Sequence, residues 1–98
     1  MLERLEHHFH IFGSEHQKMS PRELFLRQCW ISFDPDEVAL AFTSEKLGAD
    51  RILWASDYPH PDAKIPGVVA ELREAVEDLK PEDQALILGG TAAALYGI

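Results

Sequence analysis

The sequence is poor in cysteine: Cys29 is the only one in 98 residues, so no disulfide can form within the chain. Positive charge is also scarce. Nine Lys and Arg stand against 17 Asp and Glu, a net charge of −8. That field repels phosphate backbones and anionic bilayers, so neither nucleic acid nor a membrane surface is an expected partner. No apolar run approaches the roughly 20 residues needed to span a bilayer. The longer runs, such as Val38 to Phe42, suit core faces. The acidic start Met1-Leu2-Glu3-Arg4-Leu5-Glu6 has neither the basic flank nor the apolar stretch of a secretory signal, which makes the cytoplasm the expected location. The length leaves no room for two independent cores or for a whole eight-stranded α/β barrel.

What the chain does contain is enough to bury one core: 46% apolar residues, with five Phe, two Trp and two Tyr. From Met1 to about Lys18, Leu2, Leu5, Phe9 and Phe12 recur at spacings of three and four, the pattern of an amphipathic helix that Gly13-Ser14 interrupts. Ser20-Pro21-Arg22-Glu23 is a capping box with proline at the first helical position, predicting a second helix over Pro21 to Gln28. Cys29 to Phe33 reads as a short strand, and Asp34-Pro35-Asp36-Glu37 as the cap of a helix running from about Pro35 to Leu47, closed by Gly48. Ile52-Leu53-Trp54-Ala55 has no polar alternation, which suits a strand covered on both faces in a parallel sheet. The helix between the two strands supplies the crossover that parallel pairing needs. Pro66 opens a further helix with Val69, Leu72, Val76 and Leu79 on one face. Pro81 starts a short helix, Gly89-Gly90 stops it, and Thr91 caps a last turn through Tyr96.

The chemistry-bearing stretch is Asp50 to Asp62. In parallel α/β architectures the carboxyl ends of strands deliver reactive side chains to the open mouth of the sheet, and Asp57 stands just past such an end. A carboxylate there can ligate a divalent ion or accept a proton. His60, three residues on, can ligate, donate to a substrate carboxylate or act as an acid near neutral pH. An aspartate after a strand is also a common turn former bonded to its own backbone, and residue chemistry alone favours that plainer role.

Arg51-Ile52-Leu53-Trp54-Ala55-Ser56-Asp57-Tyr58-Pro59-His60 resembles the last-strand motif of the amidohydrolase-related metal-dependent hydrolases, in the branch of aminocarboxymuconate semialdehyde decarboxylase and related aromatic-acid decarboxylases. Cys29 to Glu37 resembles the preceding strand and loop of that family. Ile87 to Gly97 resembles its closing segment, with Thr91 where the family usually has Asn. The resemblance implies an α/β fold, the C-terminal fragment of a (β/α)8 barrel with two parallel strands and several helices. Residues 1–98 would then be a single partial-barrel domain, 1–19 an N-terminal helical segment and 20–98 the last two β/α units. It further implies Asp57 as a metal ligand, and Asp57 and His60 together are the candidate catalytic residues. The metal would be divalent, Zn2+ first and Mn2+ second, and the reaction hydrolysis or decarboxylation of a small carboxylated or cyclic substrate.

Family members also bring a His-x-His pair on the first barrel strand. His8-Phe9-His10 has that spacing, but its surroundings are helical, and alternate helix positions point about 200° apart. His8 and His10 therefore read as solvated or interfacial helix histidines; His7, His10 and His16 could at most collect adventitious metal at the surface, and His16 is otherwise a polar loop residue. Trp54 reads as a buried strand residue, Trp30 as core or pocket lining, Cys29 as a small apolar filler, and Asp34 chiefly as an N-cap. Glu71, Glu74, Glu77 and Asp78 read as the solvated side of their helix. Two strands leave sheet edges uncovered, so a homo-oligomer or a missing barrel half is expected to cover them. The alternative to an enzyme part is a catalytically silent truncated or split-frame product acting as an oligomerising module.

Overall fold

Proline at the first position and a reciprocal cap are strong local instructions for a helix start, and Ser20 to Glu23 carry both. In the computed structural model, which describes residues 1–13, 17–34, 39–61 and 66–98, the Glu23 amide donates to Ser20 Oγ (3.2 Å) and the Ser20 amide to Glu23 Oε2 (2.8 Å). The chain divides into two compact units, Met1–Trp30 and Ile31–Ile98.

In the first unit, α1 (Leu2–Phe12) ends where Gly13 donates its amide to the Phe9 carbonyl (2.7 Å). A Cβ at Gly13 would collide with that same carbonyl, so the residue that stops the helix also has to be small. Gln17 and Lys18 lie outside the helix, and Ser14 to His16 lie outside the described residues. The second helix, α2 (Pro21–Gln28), has the predicted limits. Its Arg22 amide, one of the donors that a helix start leaves without a partner, is taken up by Glu6 Oε1 of α1 (2.5 Å). The hydrogen bond from the Arg22 amide, followed by that from Ser20, holds the Glu6 carboxyl below its ordinary range. Cys29, at the end of α2, is exposed. The expectation of an apolar filler there fails because the strand begins only at Ile31, leaving Cys29 in the connector.

In the second unit, β1 (Ile31–Phe33) and β2 (Ile52–Trp54) pair in parallel with Ile31 opposite Ile52, Ser32 opposite Leu53 and Phe33 opposite Trp54. Both strands are shorter than their apolar runs. The register puts Ile31, Phe33, Ile52 and Trp54 on one face, where they join Leu40, Ala49, Leu72, Val76 and Ile87 in the core. Ile52, Leu72, Val76 and Ile87 are fully buried, and each such side chain contributes roughly 1.5–3 kcal/mol. The opposite face carries Ser32, which is exposed, and Leu53, which is half-buried. Cover on both faces, as the apolar run of β2 predicts, is therefore found on one face only.

The helix α3 (Leu40–Leu47) follows β1, and Leu40 and Ser44 face the core. Its expected start at Pro35 and the cap over Asp34 to Glu37 fall at Pro35 to Val38, outside the described residues. Of the run Val38 to Phe42, Leu40 is buried while Phe42 is exposed beneath the Lys46 ammonium (5.6 Å to the ring centroid). Positions two apart on a helix do not share a face. Gly48 ends α3 at φ 93, ψ 140, a conformation open in practice to glycine alone, and a Cβ there would sit 2.7 Å from Asp50 Oδ1. A 3-10 turn, Ala49–Arg51, then feeds β2.

The fourth helix, α4 (Val68–Ala75), begins two residues after Pro66 because Gly67 is left-handed at φ 106. Leu72 and Val76 are buried and Leu79 packs on the core, but Val69 is 49% exposed: the core ends one turn short of it. Pro81 opens α5 (Pro81–Ala85) as predicted. A π turn over Leu86–Gly90, kinked at Gly89, leads to α6 (Thr91–Tyr96), which Gly97 closes at φ 69. Thr91 is the first residue of α6 and does not cap it. Its hydroxyl instead donates to the Ala49 carbonyl (2.8 Å) in the interior.

Candidate functional site

The parallel ladder ends with the Ala55 amide donating to the Phe33 carbonyl (3.1 Å), and the chain then turns at the carboxyl end of the sheet. Asp57 takes the left-handed conformation (φ 54), which aspartate tolerates better than most residues. The turn closes with the His60 amide donating to the Asp57 carbonyl (2.7 Å). This bond sets the two side chains beside each other: His60 Nδ1 lies 3.4 Å from Asp57 Oδ2. Both side chains are about half open to solvent, Asp57 at 54% and His60 at 56%, so the carboxylate is not buried against the helices.

The turn leaves the Asp57 carboxylate unusually uncommitted. A turn-forming aspartate would be held by the amides of residues 58 to 60. Here the Tyr58 amide goes to Ser56 Oγ (3.4 Å), Pro59 has no amide hydrogen, and the His60 amide goes to the Asp57 main-chain carbonyl. Among the described residues, none of the three serves the carboxylate. Sequence reasoning missed the part of Ser56, although a serine two residues before an amide in a tight turn is a recognisable acceptor.

The histidines of α1 do not form a His-x-His pair. His8 packs against the Phe12 ring (5.9 Å between centroids) and His10 lies 3.7 Å from Glu6 Oε2, as their different directions on a helix require. His16 lies outside the described residues. Trp54 is half-buried and packs on the core, and Trp30 is half-buried. Asp34 is exposed.

Among the described residues, no group of three or more His, Cys, Asp or Glu side chains is placed to hold a metal ion. Asp57 fits one coordination position of a divalent ion, as a carboxylate with an oxygen facing solvent. The further ligands of a catalytic site, ordinarily three from protein, have to come from residues other than those described. An open carboxylate beside an imidazole at the mouth of a parallel sheet can bind a cation and can exchange protons with a bound molecule.

Comparisons with known proteins bear on the family and the fold. The amidohydrolase family model matches residues 1–98. The crystal structure of 5-carboxyvanillate decarboxylase from Sphingomonas paucimobilis superposes with a TM-score of 0.79 at 29% identity, over 99% of this chain and 30% of that chain. No protein of curated function gives a match. The chain thus spans less than a third of the decarboxylase it resembles, and its two parallel strands with their helices correspond to a fragment of an amidohydrolase TIM barrel. That superfamily generally uses divalent metals. With the family model covering all 98 residues, the chain belongs to the amidohydrolase family.

Proposed function

We propose that this chain supplies the Asp57 ligand, with His60 as its catalytic neighbour, to the metal site of a hydrolase or decarboxylase acting on a small carboxylated or cyclic substrate. The observation that carries the reading is the Asp57 carboxylate at the carboxyl end of β2, half open and bypassed by the amides of residues 58 and 60. Zn2+ is the first choice of metal and Mn2+ the second, since mixed imidazole and carboxylate sites discriminate weakly by affinity alone. Such an ion, when bound, would polarise a substrate oxygen or lower the pKa of a bound water. The activity of the structural neighbour, a 5-carboxyvanillate decarboxylase, favours decarboxylation of an aromatic acid over hydrolysis.

The remaining ligands and the cover for the Ser32 and Leu53 face are assigned to the rest of a barrel, or to further copies of this chain. A hybrid tests the reading: the segment of the 5-carboxyvanillate decarboxylase that matches residues 1–98 is replaced by this chain. The expected outcome is a folded hybrid that binds a divalent ion and decarboxylates 5-carboxyvanillate. Asp57→Asn, which keeps a residue tolerant of positive φ, should then lose both properties. A folded Asp57→Asn hybrid with unchanged metal content and turnover would overturn the assignment.

A second reading has its own support. Among the described residues no group of three donors is placed to hold a metal, and the open sheet face and the α1 stripe, with Leu5 and Phe12 exposed, favour an associating module that is catalytically silent by itself.

A further inference from the structure

The two methionines of the chain stand in different surroundings. Met1 is 94% exposed, whereas Met19 is half-buried immediately ahead of the Ser20 cap of α2. The Met19 side chain meets the last turn of that helix, where Arg27 Nη1 donates to Sδ at 3.5 Å. Both residues belong to the Met1–Trp30 unit. A thioether is a weak acceptor, so this contact does little for the guanidinium. What the sulfur offers is reactivity, for it keeps a second lone pair, and an oxidant that reaches it finds a cation beside the atom being oxidised.

We propose that Met19 is an oxidative modification site whose product is held by Arg27. The oxidant is hydrogen peroxide. A sulfur lone pair attacks one peroxide oxygen, the S–O bond forms as the O–O bond breaks, and the second oxygen departs with both protons as water. Sulfur gives up two electrons and becomes a sulfoxide, and the peroxide is reduced. The new oxygen is polar, and a turn about the Cγ–Sδ bond brings it to Nη1. A weak N–H···S contact is thereby replaced by a charge-assisted N–H···O bond, roughly twice as strong as a neutral one. Met19 precedes the cap of α2 and Arg27 lies in its last turn, so the modification straps the helix along its length. The role given to Asp57 has no bearing on this proposal.

The 98-residue chain is treated with hydrogen peroxide until peptide mass spectrometry finds one added oxygen on Met19, and the Arg27 guanidinium protons are followed by NMR before and after. Arg27→Leu identifies their signals by loss. The expected result is that the Nη protons of Arg27 move downfield and exchange with water several-fold more slowly once Met19 is oxidised. Met19→Leu, which is still oxidised at Met1, should show no such change. Urea unfolding gives a second reading: oxidation should lower the midpoint less in the unmodified chain than in Arg27→Leu, with the effect of Met1 taken from Met19→Leu. Arg27 protons that stay unchanged when Met19 is fully oxidised would overturn the proposal. Equal losses of midpoint with and without Arg27 would overturn it as well, because a sulfoxide that merely disturbs packing needs no arginine.

Discussion

The hydroxyl of Thr91 donates to the carbonyl of Ala49 over 2.8 Å, a buried bond between the first residue of α6 and the 3-10 turn that feeds β2. Thr91 is 2% exposed and Ala49 is 4% exposed, so neither group has water as an alternative partner. The bond anchors the closing helix to the entrance of the strand whose far end carries Asp57. Packing and site geometry are therefore linked through one hydroxyl.

Thr91→Val keeps the shape and removes one of two donors to the Ala49 carbonyl, which still accepts from the Ile52 amide. The expected cost is that of one ordinary hydrogen bond, about 0.5–1.5 kcal/mol. Thr91→Ser keeps the bond and loses a methyl group, so it should cost less than Thr91→Val. Urea unfolding followed by circular dichroism checks the order. Equal midpoints for Thr91→Val and the unmodified chain would show that the bond contributes nothing.

The role of Thr91 also marks where the sequence stopped being legible. Local signals were sufficient for the Ser20 cap, the Gly13 stop, the proline start at Pro81 and the parallel pairing of the strands, because each is decided by residues a few positions apart or by strand composition. A threonine after two glycines looks like a cap by the same local logic. Its actual partner lies 42 residues away, and only the tertiary fold brings a buried carbonyl within reach. Val69 and Leu53 failed for a related reason: periodicity says which residues share a face, but not how far the cover over that face extends. At the site, the position of Asp57 past a strand end could be read from sequence. The diversion of the loop amides to Ser56 and to the main chain could not, since it depends on the left-handed turn at Asp57.

Gly48 should be intolerant of substitution. Its φ of 93 with ψ of 140 strains any residue with a side chain, and the added Cβ would press on Asp50 Oδ1 at 2.7 Å. Gly48→Ala should destabilise the chain by about 1–3 kcal/mol. Adding Asp50→Ala should recover the steric part and leave the backbone part. Full recovery in the double variant, read from thermal or urea midpoints, would show that the backbone conformation costs nothing.

Glu6 predicts an acid response of the α1–α2 pair. Its carboxyl is held below the ordinary value of 4.5, first by the Arg22 amide and then by Ser20, with His10 and Arg22 adding charge attraction. A carboxyl whose pKa is lower in the folded state stabilises that state above its unfolded pKa and ceases to do so as pH falls through the folded one. The contact between Glu6 and the start of α2 should hold at neutral pH and weaken only below the usual carboxylate range. Glu6→Gln should remove that acid transition. Exchange of the Arg22 amide, followed by NMR against pH, reads it directly, and protection that is the same in Glu6→Gln at every pH would contradict the role given to Glu6.

The last prediction concerns what the 98 residues do by themselves. Asp57 offers one ligand with His60 beside it, and among the described residues no group of three His, Cys, Asp or Glu side chains is placed to hold a metal. A catalytic divalent ion ordinarily needs three protein ligands and one open position, so the isolated chain should bind Zn2+ or Mn2+ too weakly to retain it through desalting. It should show no turnover of 5-carboxyvanillate. The face bearing Ser32 and Leu53 gives the chain a reason to self-associate, and several copies could bring several Asp57 carboxylates together. Light scattering and metal analysis on the same sample separate the cases. A stable monomer that retains a stoichiometric metal and turns over substrate, with both lost in Asp57→Asn, would show that one chain completes a site from donors beyond Asp57 and His60. An oligomer with retained metal would instead place the missing ligands on neighbouring copies. Absence of both metal and turnover, whatever the mass, is the expected result.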